Sequence, residues 1–423
     1  MRVMIVVWPL TAHLHPALPI AWALQGAGHD VCVASHPDLS GAITEAGVDA
    51  IELGTPDTVP SPAAVGDFLL PAQDRERLTA ALSVPPDDDL WTTFSTYTLA
   101  ASRLFHPEEN AAQDRWRSVD ALVEAARGWR PDLVLWDPNW PSAAVAARAC
   151  GAAQARLLWG PDYIGRAELL IDRHRKELAD AGLRDPVAET VRPAAERHGV
   201  NVDTELLLGM FTIDPMLPCM RMPFRGRTVA VRRIPYAGHA VVPRWLDAAP
   251  RRPRVALTLG TTQRAYRNDL GLVETLLEAV DGLDAEVVAT LDASQLAGRA
   301  VPDNVRTVDY LPLDLLLPSC AAIVHHGGIG TLSTAVAHGV PQLVVSDESA
   351  VAYASNARHV SAGGIGLSVD AARPAAEIRR QLRRLLTDAD FGRNADRMRT
   401  DWLSMPSPSD IVPTLERLTT GRH

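Results

Sequence analysis

The strongest constraint on the fold of this chain is an apolar strand-and-turn pattern that occurs twice. The first apolar run, at residues 3–7, is followed by a turn that contains proline and then by apolar residues at helical spacing as far as residue 26. A second apolar run begins at Arg254, after a segment rich in Pro and Arg, and leads into a turn of small residues. Strands that alternate with helices are typical of parallel sheets with crossover helices. We therefore predict two α/β domains.

The length of the chain agrees with this division. Its 423 residues are too many for one typical core and suit two domains of about 200 residues each, with a cleft between them. We predict an N-terminal domain at residues 1–232, a linker at 233–252, a C-terminal domain at 253–404, and a helix at 405–423 that packs back toward the N-terminal domain. Hydrophobic residues make up 47% of the chain and charged residues 22%, as in a globular protein with large cores.

Shorter patterns fill in the two domains. Residues 55–90 are rich in Pro, Asp and Ala with weak periodicity, which predicts a long surface excursion with room for one helix. Helical spacing predicts helices at residues 118–126 and 142–149. Apolar runs bounded by turn residues predict further strands at residues 31–34, 133–136, 285–291, 304–311, 321–326 and 342–345.

Charge and cysteine spacing exclude several classes of protein. The formal net charge of -10 argues against a nucleic-acid partner, which would need a concentration of Lys and Arg. The four cysteines lie far apart, so we expect neither a zinc site nor a disulfide framework. The first apolar run is too short for a signal peptide, and no window reaches the roughly 18 apolar residues of a membrane span. We expect a cytoplasmic protein without a membrane partner.

The segment with the most chemical information is AAIVHHGGIGTLSTAVAHGVPQLVV, at residues 321–345. Its strand ends in two histidines, a Gly-rich turn follows, and a helix is predicted to start near Thr331. Free amides, the helix dipole and the missing side chains of Gly327, Gly328 and Gly330 would let a diphosphate approach closely. Thr331 and His326 could act as further donors. The alternative is a tight turn that uses glycine for backbone reasons alone.

The same segment also allows a different class of enzyme. The spacing of Gly328, Gly330 and Ser333 resembles a loose dinucleotide-binding fingerprint, and Asp347 stands where a ribose-binding acid would be sought. This is the hypothesis of an NAD(P)-dependent oxidoreductase. Against it, the motif lies deep in the second domain, and the adjacent histidines have no role in pyrophosphate recognition of that kind.

Two histidines and one carboxylate in the first domain suggest acid–base chemistry. His13 and His15 lie where the first loop meets a helix, and one of them could remove a hydroxyl proton at neutral pH; the alternative is a loop or capping histidine. Asp137 follows the strand at 133–136 and could orient an imidazole or cap the next helix. The sequence has no HExxH spacing, so we predict chemistry without a metal or cofactor.

The strand that starts at Arg254 ends in Gly260, Thr261 and Thr262. Glycine and hydroxyl residues at the carboxyl end of a strand can bind phosphate or sugar by hydrogen bonds. The alternative is an ordinary Gly-Thr turn.

Several separated segments together resemble the GT-B glycosyltransferases that decorate macrolides and anthracyclines in actinomycete antibiotic pathways. The resemblance spans nearly the whole chain and is greatest for the branch with the desosaminyl, mycosaminyl and related deoxysugar transferases. The segments are MRVMIVVWPLTAHLHPALPIAWALQGAGHDV, WRPDLVLWDP, ARLLWGPD, IPYAGHAVVPRWL, RVALTLGTT, DNVRTVDYLPLDLLLPSC, HHGGIGTLSTAVAHGVPQLVV and MPSPSDIVPTLERL.

The resemblance implies a fold of two Rossmann-like domains that face each other across a cleft, with the acceptor in the N-terminal domain and the nucleotide sugar in the C-terminal domain. It implies an inverting, metal-independent transfer of a deoxysugar from dTDP to a hydroxyl of a polyketide-type product. The position of the family's proposed base is His13, while His15 is not at the motif position. The donor-binding positions that the resemblance implies are Gly260, Thr261, Tyr310, Leu311, His326, Gly328, Gly330 and Thr331.

One segment departs from the pattern of the family. Many relatives carry an Asp-Gln or similar pair that holds sugar hydroxyls, whereas this chain has SDESAVAYASNARHV at residues 346–360, with Asp347 and Glu348 as substitutes. The departure is compatible with a deoxysugar, which has fewer hydroxyls. It also motivates a second hypothesis, a catalytically silent homologue that binds a nucleotide sugar and assists another transferase, although the retained His13 argues against it.

The resemblance also bears on partners. Several relatives work only with an auxiliary protein similar to a cytochrome without its haem ligand, and residues 91–105 are the candidate contact for such an activator. The alternative, which we prefer, is an amphipathic helix that covers the core or lines the acceptor pocket. A homodimer is a further candidate assembly.

Overall fold

The computed structural model describes residues 1–54, 65–66, 68–85, 87–104, 118–260, 270–347 and 351–421. The chain forms two compact units. Unit 1 consists of Met1–Arg233 and Pro406–His423, and unit 2 consists of Ile234–Met405. Unit 1 is therefore built from two separate stretches of sequence.

A parallel sheet forms the centre of unit 1, and its described strands follow the order β3-β2-β1-β4-β5-β6-β7. The central strands read as continuous apolar runs because helices cover both faces of such a sheet; all four residues of β4, for example, are buried. The strands are β1 (Arg2–Val6), β2 (Asp30–Ser35), β3 (Asp49–Glu52), β4 (Leu133–Trp136), β5 (Ala153–Leu157), β6 (Thr212–Asp214) and β7 (Thr228–Ala230).

The helices of unit 1 include the crossover connections of this sheet. A π-helical turn, Phe94–Thr98, joins α4 to α5, and short 3-10 turns occur at Pro37–Leu39 and Pro218–Met220. The helices are α1 (Thr11–Gly26), α2 (Ser40–Glu45), α3 (Ala72–Ala81), α4 (Asp89–Thr93), α5 (Leu99–Arg103), α6 (Ser118–Trp129), α7 (Ser142–Cys150), α8 (Tyr163–Arg173), α9 (Arg175–Asp180), α10 (Pro186–Arg197) and α11 (Thr204–Leu208).

Unit 2 has its own parallel sheet, with the described strands in the order β10-β9-β8-β11-β12-β13. The strands are β8 (Arg254–Thr258), β9 (Glu286–Thr290), β10 (Val305–Val308), β11 (Ala322–His325), β12 (Gln342–Ser346) and β13 (Gly366–Asp370). The helices are α12 (Leu270–Val280), α13 (Ala293–Leu296), α14 (Leu313–Leu316), α15 (Ile329–His338), α16 (Val351–Ala362), α17 (Ala375–Thr387) and α18 (Ala389–Ser404), with 3-10 turns at Arg244–Asp247 and Leu317–Ser319.

The last helix, α19 (Pro408–Thr420), belongs to unit 1 and packs against α1. It begins with a capping box in which Ser407 and Asp410 bond each other's backbone amides. His29 Nε2 lies 3.0 Å from Glu416 Oε1 of α19.

The prediction of a two-domain α/β fold is confirmed. The predicted runs at 31–34 and 133–136 correspond to β2 and β4, and those in the second domain correspond to β9 through β12. The strands β3, β5, β6, β7 and β13 are not predicted from the sequence. The strand β5, AQARL, shows why, because it contains the polar residues Gln154 and Arg156, which are buried but do not look like core residues in the sequence.

Residues 87–104 cover the core of unit 1. Trp91 and Phe94 are 3% and 1% exposed and belong to its hydrophobic core, as expected for a core-covering helix; Phe105 lies outside the described residues. In the surface excursion predicted at 55–90, the structure has the helix α3, while residues 55–64, 67 and 86 lie outside the description. Among the described helices, none combines the length and the apolar character needed to cross a membrane.

A buried ion pair ties the second half of the sheet in unit 1 together. Arg156 on β5 is 0% exposed and forms two hydrogen bonds with Asp162, of 2.8 and 2.7 Å. The guanidinium also donates to Thr212 Oγ1 of β6 and to the carbonyl of Leu208. Asp162 caps α8 by accepting from the amide of Gly165 at 2.8 Å. The pair therefore connects β5, β6 and the start of α8.

Removing Asp162 should strongly destabilise unit 1. Asp162→Ala leaves the buried guanidinium of Arg156 without its counter-charge, so we expect the free energy of unfolding to fall by about 3–5 kcal/mol. Urea unfolding followed by circular dichroism measures the change.

An exposed ion pair in the same unit gives the control. Arg184 Nη1 lies 3.5 Å from Glu189 Oε2, with the arginine side chain 74% exposed. Arg184→Gln should cost less than about 1 kcal/mol. Equal losses in the two variants would contradict the role assigned to the Arg156–Asp162 pair.

Candidate active site

The candidate residues follow the strands at which each sheet reverses its order. In unit 1, β1 lies between β2 and β4, and in unit 2, β8 lies between β9 and β11. Crossover connections leave such neighbouring strands in opposite directions, which opens a crevice at their carboxyl ends. His13 follows β1 and Asp137 follows β4, while Gly260 follows β8 and His326 follows β11. Each unit therefore presents its candidate residues at its own reversal point.

His13 and Asp137 form a close buried pair. The imidazole Nδ1 and the carboxylate Oδ2 are 2.6 Å apart, and the two residues are 4% and 5% exposed. Asp137 also accepts hydrogen bonds from the amides of Trp8, at 3.4 Å, and Asn139, at 2.9 Å. When Nδ1–H donates to the carboxylate, the lone pair of the ring lies on Nε2. This is the atom and the tautomer that a general base requires.

The structure distinguishes between the two roles considered for Asp137. The next helix, α7, begins at Ser142 after Pro141 and has no side-chain cap. Asp137 therefore does not cap α7, and its carboxylate is directed toward His13. Of the two alternatives for Asp137, the structure has the one in which the carboxylate contacts an imidazole.

Two indole rings enclose His13. The ring centroids of Trp8 and Trp159 lie 5.2 Å and 4.3 Å from that of the imidazole. A small cavity next to the His13–Asp137 pair is otherwise lined by apolar residues, among them Pro16 and Leu157. Apolar surroundings lower the local dielectric constant, which strengthens the electrostatic attraction between a protonated His13 and the carboxylate.

His15 has a different environment, although it lies on the same helix as His13. Burial lowers its pKa to about 4, and the guanidinium of Arg233 acts in the same direction. Arg233 Nη1 donates to the carbonyl of Trp159 at 2.5 Å. The His15 ring is therefore neutral at neutral pH and lies close to a cation.

The Gly-rich turn after β11 is held from both sides by buried side chains. His325 Nδ1 accepts from the amide of Gly327 at 3.1 Å, and His325 Nε2 lies 3.0 Å from Gln342 Oε1. Asn356 Nδ2 donates to the carbonyl of Gly327 at 2.9 Å. Gly327 has φ +95, in the region that favours glycine.

The ring of His326 occupies a slot between two glycines and one tyrosine. A Cβ on Gly260 would lie 2.5 Å from its Cε1, and one on Gly328 would lie 2.7 Å from its Nε2. The Tyr353 ring meets it edge-on, with the centroids 5.0 Å apart. Burial lowers the pKa of His326 to about 4, so the ring is neutral at neutral pH. Its Nδ1 is buried and has no hydrogen-bond partner among the described residues.

The helix α15 starts directly after this turn. It begins at Ile329, two residues before the predicted start at Thr331, and has no side-chain cap. Its first intrahelical bond runs from the amide of Leu332 to the carbonyl of Gly328, at 3.0 Å. The amides that precede Leu332, including those of Gly330 and Thr331, have no acceptor within the helix. An uncapped helix start of this kind favours an anion.

Other predicted donor residues lie farther along the sheet edge. Tyr310 follows β10, which is three positions from β11 in the sheet, so the two strand ends are roughly 14 Å apart. Tyr310 is 43% exposed, whereas Leu311 is 3% exposed in a hydrophobic cluster. Asp347 is exposed and follows β12, next to β11. Thr261 and Glu348 lie outside the described residues.

Several residues of the site were not singled out in the sequence. Trp159 lies against His13, and Asn356 donates a hydrogen bond to Gly327. In both pairs the two residues are far apart in the sequence, so only the folded chain brings them together. Asn356 does fall within the segment at 346–360 that departs from the family pattern. The position of Asn356 in this segment is the one sequence feature that points to a role in the site. Within the described residues, no group of three or more His, Cys, Asp or Glu side chains is arranged to hold a metal ion.

Two family models match most of the chain. The model described as "Erythromycin biosynthesis protein CIII-like, N-terminal domain" matches residues 22–260. The model described as "Erythromycin biosynthesis protein CIII-like, C-terminal domain" matches residues 274–418.

Two named glycosyltransferases match this chain over more than nine-tenths of their own length. The aclacinomycin-T 2-deoxy-L-fucose transferase of Streptomyces galilaeus is 39% identical over 433 residues, which cover 99% of this chain and 96% of the relative. The tylactone mycaminosyltransferase of Streptomyces fradiae is 39% identical over 427 residues, covering 99% and 92%. Among solved structures, the glycosyltransferase VinC in complex with dTDP has a TM-score of 0.82 at 34% identity, with 99% of each chain covered.

The burial of His326 predicts a pH dependence of stability. Its pKa falls from an ordinary value near 6.5 to about 4 in the folded chain, so protonation favours the unfolded chain. The stability gained from the neutral ring is complete above about pH 6.5 and is lost as the pH falls toward 4. Between pH 7.5 and pH 5.0, we expect the wild type to lose about 2 kcal/mol more unfolding free energy than His326→Gln.

Urea unfolding at the two pH values measures this difference. The exposed His239 provides the control, because His239→Gln should leave the pH dependence of the wild type in place. If His326→Gln and the wild type lose the same free energy, His326 is not buried as the structure describes.

Proposed function

The chain belongs to the erythromycin biosynthesis protein CIII-like family and is a glycosyltransferase of the GT-B fold, and we propose that it transfers a deoxysugar from a dTDP donor to a hydroxyl of a polyketide-type natural product. The observation that carries this proposal is the buried His13–Asp137 pair, with 2.6 Å between Nδ1 and Oδ2. Such a pair supplies the base that an attacking alcohol needs.

The proposed reaction is a direct displacement that inverts the anomeric carbon and needs no metal. His13 Nε2 takes the proton of the acceptor hydroxyl while the hydroxyl oxygen forms a bond to the anomeric carbon of the sugar. The bond from that carbon to the diphosphate oxygen breaks, and dTDP leaves. Asp137 stabilises the imidazolium that forms and keeps the ring in the required orientation.

The departing diphosphate is the group that unit 2 would bind. Its negative charge increases as the bond to the sugar breaks, and fixed donors aimed at that charge stabilise the transition state. In this proposal the donors are the first amides of α15, the hydroxyl of Thr331 and the N–H of His326. The turn at Gly260 and Thr261 completes the phosphate site. Because the His326 ring is neutral, it donates a hydrogen bond without adding a charge.

In this proposal, the remaining predicted positions bind the sugar and the nucleobase of the donor. We assign Tyr310 and Leu311 to the nucleobase, with the backbone of Leu311 as the contacting group because its side chain is buried. Asp347 and Glu348 are assigned to the hydroxyls of the sugar. A deoxysugar is supported by the departure in this segment and by the two deoxysugar transferases among the relatives. The dTDP complex of VinC supports the choice of nucleotide.

The other hypotheses of the sequence analysis have less support. A catalytically silent homologue has no need of a buried His–Asp pair at the reversal point of unit 1. The relatives are transferases, which leaves the oxidoreductase hypothesis without support. An auxiliary activator protein and a homodimer remain predictions, which turnover in the presence of the activator and sedimentation of the purified chain would test.

The wild-type chain should bind dTDP at the Gly-rich turn. We expect dissociation constants in the micromolar range for dTDP, weaker binding of UDP, and no binding of NAD. The double variant His326→Ala, Thr331→Ala removes two of the proposed phosphate donors and should lose at least about tenfold in affinity for dTDP. Calorimetric titration measures all of these values. A preference for NAD, or unchanged dTDP binding by the double variant, would refute the proposed donor site.

Turnover should depend on the His13–Asp137 pair while dTDP binding should not. His13→Ala and Asp137→Asn should each lower kcat by about 10²–10⁴-fold, the usual contribution of a positioned acid or base. Mass spectrometry can detect the glycoside formed from panels of dTDP-deoxysugars and of macrolide and anthracycline aglycones. His15→Ala is the matched control from the same helix and should stay within about tenfold of the wild type. Loss of turnover in His15→Ala alone would make His15 the base.

A further inference from the structure

Gly327 is the point at which the Gly-rich turn is attached to the rest of unit 2. Its amide donates to His325 Nδ1 at 3.1 Å, and its carbonyl accepts from Asn356 Nδ2 at 2.9 Å. His325 and Asn356 are 1% and 5% exposed. Both polar backbone groups of one glycine are therefore bonded to buried side chains, one on β11 and one on α16.

The conformation of Gly327 needs such support. Its φ of +95 is one that glycine leaves easily, since glycine has many accessible conformations. A Cβ at this position would lie 3.1 Å from Val344 Cγ1 and 3.3 Å from both Tyr353 Cβ and the Tyr353 carbonyl oxygen. Extra atoms therefore cannot stiffen the turn at this position. Hydrogen bonds from neighbouring side chains can.

We propose that His325 and Asn356 are positioning residues that fix the Gly327 turn, and with it the first amides of α15 and the ring of His326, in the geometry that binds the diphosphate. This inference rests on the proposed function, because it assigns the diphosphate to that turn. Neither residue touches the ligand. They act by removing the freedom that the turn would otherwise lose on binding.

The hydrogen bonds of His325 fix its tautomer. An Nδ1 that accepts from the Gly327 amide must carry a lone pair, so the ring proton is on Nε2, where Gln342 Oε1 accepts it at 3.0 Å. Burial and the neighbouring His326 lower the pKa of His325 to about 3. The ring is therefore neutral at neutral pH, and its Nδ1 continues to accept.

The side chain of Asn356 makes one hydrogen bond to the turn and, within the described part of the chain, leaves one of its own polar atoms unpaired. Its Nδ2 bonds Gly327, but its Oδ1 is buried and has no hydrogen-bond partner among the described residues. A buried acceptor without a partner is unfavourable, and an apolar side chain of similar shape avoids this cost. A leucine at this position would remove the unpaired oxygen, but it would also leave the carbonyl of Gly327 without its donor.

The test separates the binding of phosphate from the binding of the nucleoside. Calorimetry with dTDP and with thymidine gives an association constant for each, and the dTDP-to-thymidine ratio of these constants measures what the phosphates contribute. In Asn356→Leu, we expect the affinity for dTDP to fall about tenfold, the effect of leaving one buried carbonyl unpaired at the binding turn. The affinity for thymidine should stay within about twofold, so the ratio also falls about tenfold.

A matched control exists in the same unit. Asn394 Nδ2 donates to the carbonyl of Gly364 at 2.9 Å, and Gly364 also has a positive φ, of 60. Asn394→Leu removes the same kind of bond at a turn that we do not assign to the ligand. It should leave the dTDP-to-thymidine ratio unchanged, whatever it does to the thermal melting temperature.

Substitutions of His325 give an independent test by rescue. In His325→Asn, the side-chain oxygen can occupy the place of Nδ1 and accept from the amide two residues later, as in an Asx-turn. In His325→Leu, no acceptor remains. We expect His325→Leu to lose about tenfold in dTDP affinity and His325→Asn to keep most of it.

The outcomes separate the two proposals. If the wild type does not bind dTDP, the proposed function fails. If the wild type binds dTDP but Asn356→Leu and His325→Leu keep its ratio to thymidine, the proposed function stands and the positioning role is wrong. If Asn356→Leu does not fold, the comparison of His325→Leu with His325→Asn decides, and equal affinities in that pair would overturn the inference.

Discussion

The parallel pairing of the central strands is the constraint on which the rest of this molecule depends. In unit 1, Trp136 of β4 pairs with Val6 of β1, and in unit 2, His325 of β11 pairs with Thr258 of β8. Parallel pairing puts the carboxyl ends of both strands at the same edge, so the residues that follow them start side by side. Asp137 and His326 owe their neighbours to this register, in which a shift of one residue would move either side chain to the opposite face.

The two reversal points use histidine in opposite ways. His13 has a carboxylate as its hydrogen-bond partner, which is the arrangement that the proposed function assigns to a base. Burial lowers the pKa of His326 to about 4, so its ring is neutral at neutral pH and can donate a hydrogen bond. Burial alone makes the charged form of an imidazole unfavourable, and an adjacent anion makes it favourable. The same residue type therefore has two different environments, because the sheet edge of each unit supplies a different neighbour.

Much of the fold could be predicted from the sequence, because continuous apolar runs and Gly-rich turns are local signals. For this reason the strand, turn and helix around His326 could be predicted, and so could the start of β8 at Arg254. Short strands with polar residues, such as β5 with its Arg156, could not be predicted, since their burial depends on partners distant in the sequence. For Asp137 the sequence allows contact with an imidazole or a helix cap, and no local pattern points to the contact of Asn356 with Gly327. Pairing between remote residues is a property of the folded sheet and leaves no local pattern.

The helix α19 packs on α1, so unit 1 contains sequence from before and after unit 2. This matters for exchanging parts between related transferases. A hybrid joined only near Arg233 would bring a foreign α19 against the native α1, including a replaced partner for His29. A hybrid with junctions near both Arg233 and Met405 would keep that helix pair from one parent. Since the proposed function assigns the donor to unit 2, the segment to exchange for a different donor is an internal insert with two joints, not the whole second half of the protein.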